Sequence, residues 1–138
     1  MADHLILAYD HDPTDDFGWL RVSAEGKGFA AKAGFWVQWQ DVVDWTAKLD
    51  TYPLPPDGIE QDWGFVQDGT YRKVISIGLK RSTRTGRVTV TLELTDYHDP
   101  SYHAEFSFEA AYSNLADFKK EVEQVMAQTR ERATLLGL

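Results

Sequence analysis

Cysteine is absent from the chain, which excludes disulfide bonds and thiol catalysis and is compatible with a cytoplasmic location. Long apolar runs are missing as well. The longest near the N-terminus, Leu5-Ile6-Leu7-Ala8, is far shorter than the roughly 20 residues that span a bilayer, so no membrane segment is expected. Met1-Ala2-Asp3-His4 lacks the basic start of a secretory signal, and an acidic run soon follows, which again points to a cytoplasmic protein. No G-x-S-x-G elbow or H-E-x-x-H helix occurs, and Gly26-Lys27-Gly28 is too short for a phosphate-binding loop. The expectation is a protein that is not an enzyme and carries no cofactor.

Acidic residues are missing from one stretch. Arg72, Lys73, Lys80, Arg81, Arg84 and Arg87 follow one another without an acid, so the rest of the chain sets eight bases against all 22 acids. The overall charge is −8. Such a molecule either steers basic partners to most of its surface and anions to one hairpin, or neutralises that hairpin within the fold. Lys80, Arg81, Arg84 and Arg87 are the candidate anion-binding residues. Nucleic acid is disfavoured as the partner, because no aromatics interleave with these bases and the whole chain is acidic.

What is present is enough for one domain. The chain has 138 residues, 43% hydrophobic and 26% charged, the composition of an ordinary globular protein with a core. The single domain is expected over 1–138, with 1–16 as a peripheral strand and acidic loop and 130–138 as a fraying tail. Leu20, Val22 and Ala24, then Phe29, Ala31, Ala33, Phe35 and Val37, alternate with other residues and predict two strands joined by a glycine-containing turn. Trp39, Val42, Trp45 or Thr46, Leu49 and Tyr52 recur at helical steps, and the prolines from Pro53 to Pro56 stop that helix. Asp62 to Val66 is a candidate short strand. Period-two alternation returns in Ile75 to Leu79, Val88 to Leu94 and Ala104 to Ala110, an antiparallel meander. A last amphipathic helix follows, with Asn114 as its expected cap and Leu115, Phe118, Val122, Val125 and Met126 on one side.

The fold class expected is therefore α+β: one antiparallel sheet of five to six strands in the order β-β-α-β-β-β-α, with both helices packed on one face. The opposite face would show Arg21, Lys32, Lys80, Thr89, Thr91, Glu93, Glu105, Ser107 and Glu109 to water. Trp19 and Trp36 fall on that outer face by parity. Trp is enriched at interface hot spots, so Trp19 and Trp36, with the acidic positions Glu105 and Glu109, are the candidate partner-binding residues. A second reading is metal binding at the turn holding His98, Asp99 and His103, although the spacing matches no established zinc pattern. Asp10, Asp12, Asp15 and Asp16 form an acidic loop without the glycine or distal glutamate of a helix-loop-helix calcium site, and read as a solvated loop.

The run from Asp15 to Val22, Phe35-Trp36-Val37 entering a helix with Trp45 and Leu49, three alternating strands and the helix Leu115 to Met126 resemble a group of small uncharacterised bacterial α+β domains that includes the WapI-type immunity proteins. The resemblance covers about Asp15 to Thr129 and rests on fold positions. It implies a cytoplasmic protein that binds and blocks a cognate toxin, and the acidic charge agrees with a basic protein partner. The expected function is thus a non-enzymatic protein-binding domain, immunity-like in its most concrete form. The alternative is a small-ligand or metal-binding domain, catalytic or not, near His98, Asp99 and His103.

Overall fold

Alternation along the chain builds eight strands rather than five or six, and they form two sheets rather than one. The computed structural model describes residues 3–138; Met1 and Ala2, part of the N-terminal segment discussed above, lie outside them. In chain order the elements are β1 (His4–His11), β2 (Phe17–Gly26), β3 (Phe29–Gln38), α1 (Trp39–Thr46), β4 (Ile59–Gln67), β5 (Thr70–Arg81), β6 (Arg87–Thr95), β7 (His103–Ala111), α2 (Tyr112–Met126) and β8 (Ala133–Leu136). Every pairing is antiparallel, in the orders β3-β2-β1-β8 and β4-β5-β6-β7. The α+β class with antiparallel sheets holds; the single sheet and its element order do not.

The division has a cause at the chain ends. The first strand is interior rather than peripheral, because β8 pairs on its far side with Leu5 opposite Leu135 and Leu7 opposite Ala133, all four fully buried. The C-terminal segment expected to fray therefore supplies the edge of the first sheet. Two hairpins tighten the ladders. Lys27-Gly28 and Asp68-Gly69 both have positive φ at each residue (52° and 85°, then 52° and 76°), the twist that two-residue loops need to match flanking strands.

Leu5, Leu7, Leu20 and Val22 from the first sheet share one core with Ile75, Ile77, Leu79, Val90 and Leu92 from the second. Each such side chain contributes about 1.5–3 kcal/mol on burial. The sheets meet directly where β3 lies against β4, β5 and β6; α2 packs on β1 and β8 and also on β7. The helices are thus inserted between the two sheets' edges instead of coating one sheet. Trp45 joins them, with its ring at 5.8 Å from Trp63 on β4 and 6.3 Å from Phe118 on α2, both edge-on.

Both helices differ from expectation, the first at its end and the second at its start. The first ends at Thr46, with i→i+3 turns at Lys48 and Leu49, so Leu49 is fully buried while Tyr52 is exposed. The second starts at Tyr112 directly from β7, which places Asn114 inside the helix; its amide Nδ2 donates to the Leu136 carbonyl at 3.0 Å and ties the helix to β8 instead of capping it.

Candidate partner-binding face

The pairing registers lay the outer face of the first sheet out in rows. Asp10, Trp19 and Trp36 form one row across β1, β2 and β3; Ala8, Arg21 and Gly34 form the next, and Ile6, Ser23 and Lys32 the third. Directly opposed side chains on a sheet stand within contact distance. Trp19 and Trp36 accordingly meet edge to face with ring centres 5.2 Å apart. Glycine at position 34 is what lets this happen, since a Cβ there would fall 2.5 Å from Trp19 Nε1. The Trp19 indole lies over that gap, half-buried, and Trp36 remains 51% exposed.

Aromatic packing backs the pair. Tyr97, in the connection between β6 and β7, lies 6.5 Å from Trp19, 5.3 Å from Phe35 and 5.3 Å from Phe65, and Phe35 stacks on Phe65 at 6.1 Å. Aromatic contacts of this kind contribute about 0.5–1.5 kcal/mol each beyond the area they bury. Trp36 is therefore held on a rigid platform rather than on a mobile loop. Beneath it Tyr9 donates its hydroxyl to the Val37 carbonyl at 2.8 Å, and burial, with Asp41 adding to it, pushes its pKa up to about 12.

The same face continues into a groove of about 940 Å³. Ile6, Ala8, Ser23 and Lys32 line it, with Asp96 from the β6–β7 connection and Arg132 from the α2–β8 connection. Arg21 pairs with Asp10 at 3.3 Å, and Arg130 pairs with Glu121 at 3.3 Å. The first pair is solvent-exposed and the second partly so, and both hold side chains in place more than they stabilise the fold.

The other candidate residues separate. Glu105 and Glu109 lie on β7 of the second sheet, not beside Trp19 and Trp36, and Glu109 accepts a hydrogen bond from Ser82 Oγ at 3.0 Å while standing 3.8 Å from Arg87. Of the basic hairpin, Arg81 donates to the Leu54 carbonyl and Arg87 faces Glu109, so two of the four cations serve internal contacts. Lys80 and Arg84 are exposed. His98 tilts against the Tyr97 ring at 5.0 Å, and the Asp99 carboxylate accepts from Ser101 N and Oγ at 3.1 and 2.6 Å, which lowers its pKa. The carboxylates that converge on His103 are Glu93 and Glu105 instead. In the acidic loop, Asp12 accepts from Thr14 N and Oγ1, with the same lowering effect.

Phe65 and Tyr97 were the members of the aromatic platform that sequence reasoning missed. Their signal was available only in part: neither belongs to the alternation of the strand it packs against. No helix is long and apolar enough to cross a membrane among the described residues. The chain matches no protein-family model and no curated protein sequence.

Proposed function

We propose that this chain is a non-enzymatic binding module for a basic protein, with Trp36 as its central anchor. The observation that carries the reading is the Trp36 indole, half exposed on a sheet face and fixed from behind by Trp19 over Gly34. A large aromatic immobilised before binding loses little conformational freedom on association, which is how a few aromatics dominate interface energetics. The overall charge of −8 favours a cationic partner and speeds its encounter. Blocking of a toxin by an immunity-like protein is the concrete form of this reading, and a cytoplasmic location goes with it.

The test is capture from host lysate at low and moderate salt with the native chain, Trp36→Ala and Lys80→Ala side by side. A stoichiometric basic protein should be retained by the native chain and Lys80→Ala and lost by Trp36→Ala, with at least about tenfold weaker affinity for a hot-spot truncation. Retention of the same partner by a folded Trp36→Ala chain overturns the anchor. A small-ligand role is the second reading, supported by the groove beside Ser23, Lys32 and Arg132, whose volume lies in the range of ligand pockets. It predicts that native mass spectrometry of the isolated chain finds a bound small molecule that Ser23→Trp displaces.

A further inference from the structure

We infer that the outer face of the second sheet carries a divalent transition-metal site formed by Glu93, His103 and Glu105, separate from the aromatic face. Glu93 and Glu105 are direct partners across β6 and β7, and His103 precedes Glu105 by two residues, so all three side chains project from one face. One potential ligand atom from each lies within 4.8 Å of the others. His103 Nε2 stands 3.8 Å from Glu93 Oε1. Its Nδ1 is 2.6 Å from Thr95 Oγ1, the residue directly opposite it on β6.

Three physical points favour a cation here. Like charges directly opposed across a ladder repel, and Glu93 with Glu105 is such a pair; a dication cancels both charges. The Thr95 contact orients the imidazole through one nitrogen and leaves the other toward the carboxylates, the arrangement by which an outer hydroxyl or carbonyl aims a histidine ligand. Finally, one imidazole and two carboxylates suit zinc or manganese, whereas calcium takes six to eight oxygens and magnesium prefers oxygen and water. Zinc ligand atoms around a tetrahedral centre stand roughly 3.3 Å apart, so the ligand atoms must draw together by about 0.5 to 1.5 Å. Rotation about the half-buried Glu93 and the exposed Glu105 side chains supplies that movement. Three protein ligands leave a position for water or for a group from another molecule.

The site is tested by calorimetric titration of the metal-free full-length chain with zinc chloride, then with manganese and magnesium chloride. One equivalent of zinc should bind in the micromolar range or tighter, and manganese more weakly. Changing His103→Ala or Glu93→Gln should each weaken zinc by at least about tenfold, with His98→Ala binding like the native chain. The His103 imidazole resonances should shift on zinc addition while those of His98 stay in place. All these positions are partly or fully exposed, and circular dichroism checks that each variant folds. Absence of saturable one-site zinc binding overturns the proposal. Binding that survives both His103→Ala and Glu93→Gln, or that falls equally with His98→Ala, overturns it too. Neither result bears on partner capture by Trp36, which stands on the other sheet.

Discussion

On the outer face of the first sheet, Trp19 and Trp36 sit in a row with Asp10, beside a glycine that makes room for an indole. On the outer face of the second, Thr89, Thr91 and Glu93 oppose Glu109, Ser107 and Glu105 in a polar ladder without an aromatic. Both faces arise from the same period-two alternation, with leucine, isoleucine and valine turned inward. The difference lies in what the outward positions meet across the ladder. Tryptophan opposite tryptophan gives an apolar platform fit for protein contact, and glutamate opposite glutamate gives concentrated negative charge fit for a cation. Register, more than composition, assigns each face its chemistry.

The largest effect expected separates tryptophans inside from tryptophans outside. Trp45 is 1% exposed and packs between Trp63 and Phe118, so Trp45→Ala should destabilise the chain by about 3–5 kcal/mol in urea unfolding. Its buried indole Nε1, like that of Trp63, has no hydrogen-bond partner among the described residues, which offsets part of what burial contributes. Trp36→Ala, on the outer face, should change stability by no more than about 0.5–1 kcal/mol. Equal losses at the two positions would mean that Trp36 is a structural residue, and the contrast between inner and outer faces would fail for it.

Much of that contrast was legible in the chain itself. Parity alone put Trp19 and Trp36 outward once Leu20, Val22 and Val37 were placed in the core, and they are found there. The same reading put Lys32 and Glu105 on one face of one sheet, whereas they stand on different sheets. Alternation specifies which side of a strand faces the core but not which strand is its neighbour. The pairing of β1 with β8 joins residues more than 125 positions apart, and no local pattern encodes it. The Asp68-Gly69 loop was readable in principle, because Asp-Gly between strands favours the required positive φ, and it would have extended the candidate strand at Asp62 to Val66 into β4. At the second face, His103 could be singled out as a metal ligand, but its neighbours Glu93 and Glu105 needed the β6–β7 register.

A middle-sized effect tests the platform under Trp36. Gly34→Ala places a methyl 2.5 Å from Trp19 Nε1 and 2.6 Å from its Cε2, too close for any side chain. The indole must leave its position over β3, so the variant should lose about 1–3 kcal/mol and red-shift the tryptophan emission as Trp19 enters water. Partner affinity should fall with it although no residue of the contact surface is deleted. Unchanged emission and stability would mean that Trp19 is not held by the gap at Gly34.

The smallest effect concerns the glutamate pair. In metal-free protein Glu105→Thr removes a like-charge contact with Glu93 and places a β-branched residue on an exposed strand, so it should stabilise by about 0.2–1 kcal/mol at low ionic strength. Repulsion between exposed charges is screened by salt, and the gain should shrink as sodium chloride rises from about 0.01 to 1 M. Zinc reverses the order. With the metal present at saturating concentration the native chain gains stability that the variant, lacking one ligand, does not match. A Glu105→Thr chain that is less stable than the native one at low salt without metal would show that the two carboxylates do not repel, and the electrostatic argument for a cation on this face would fall with it.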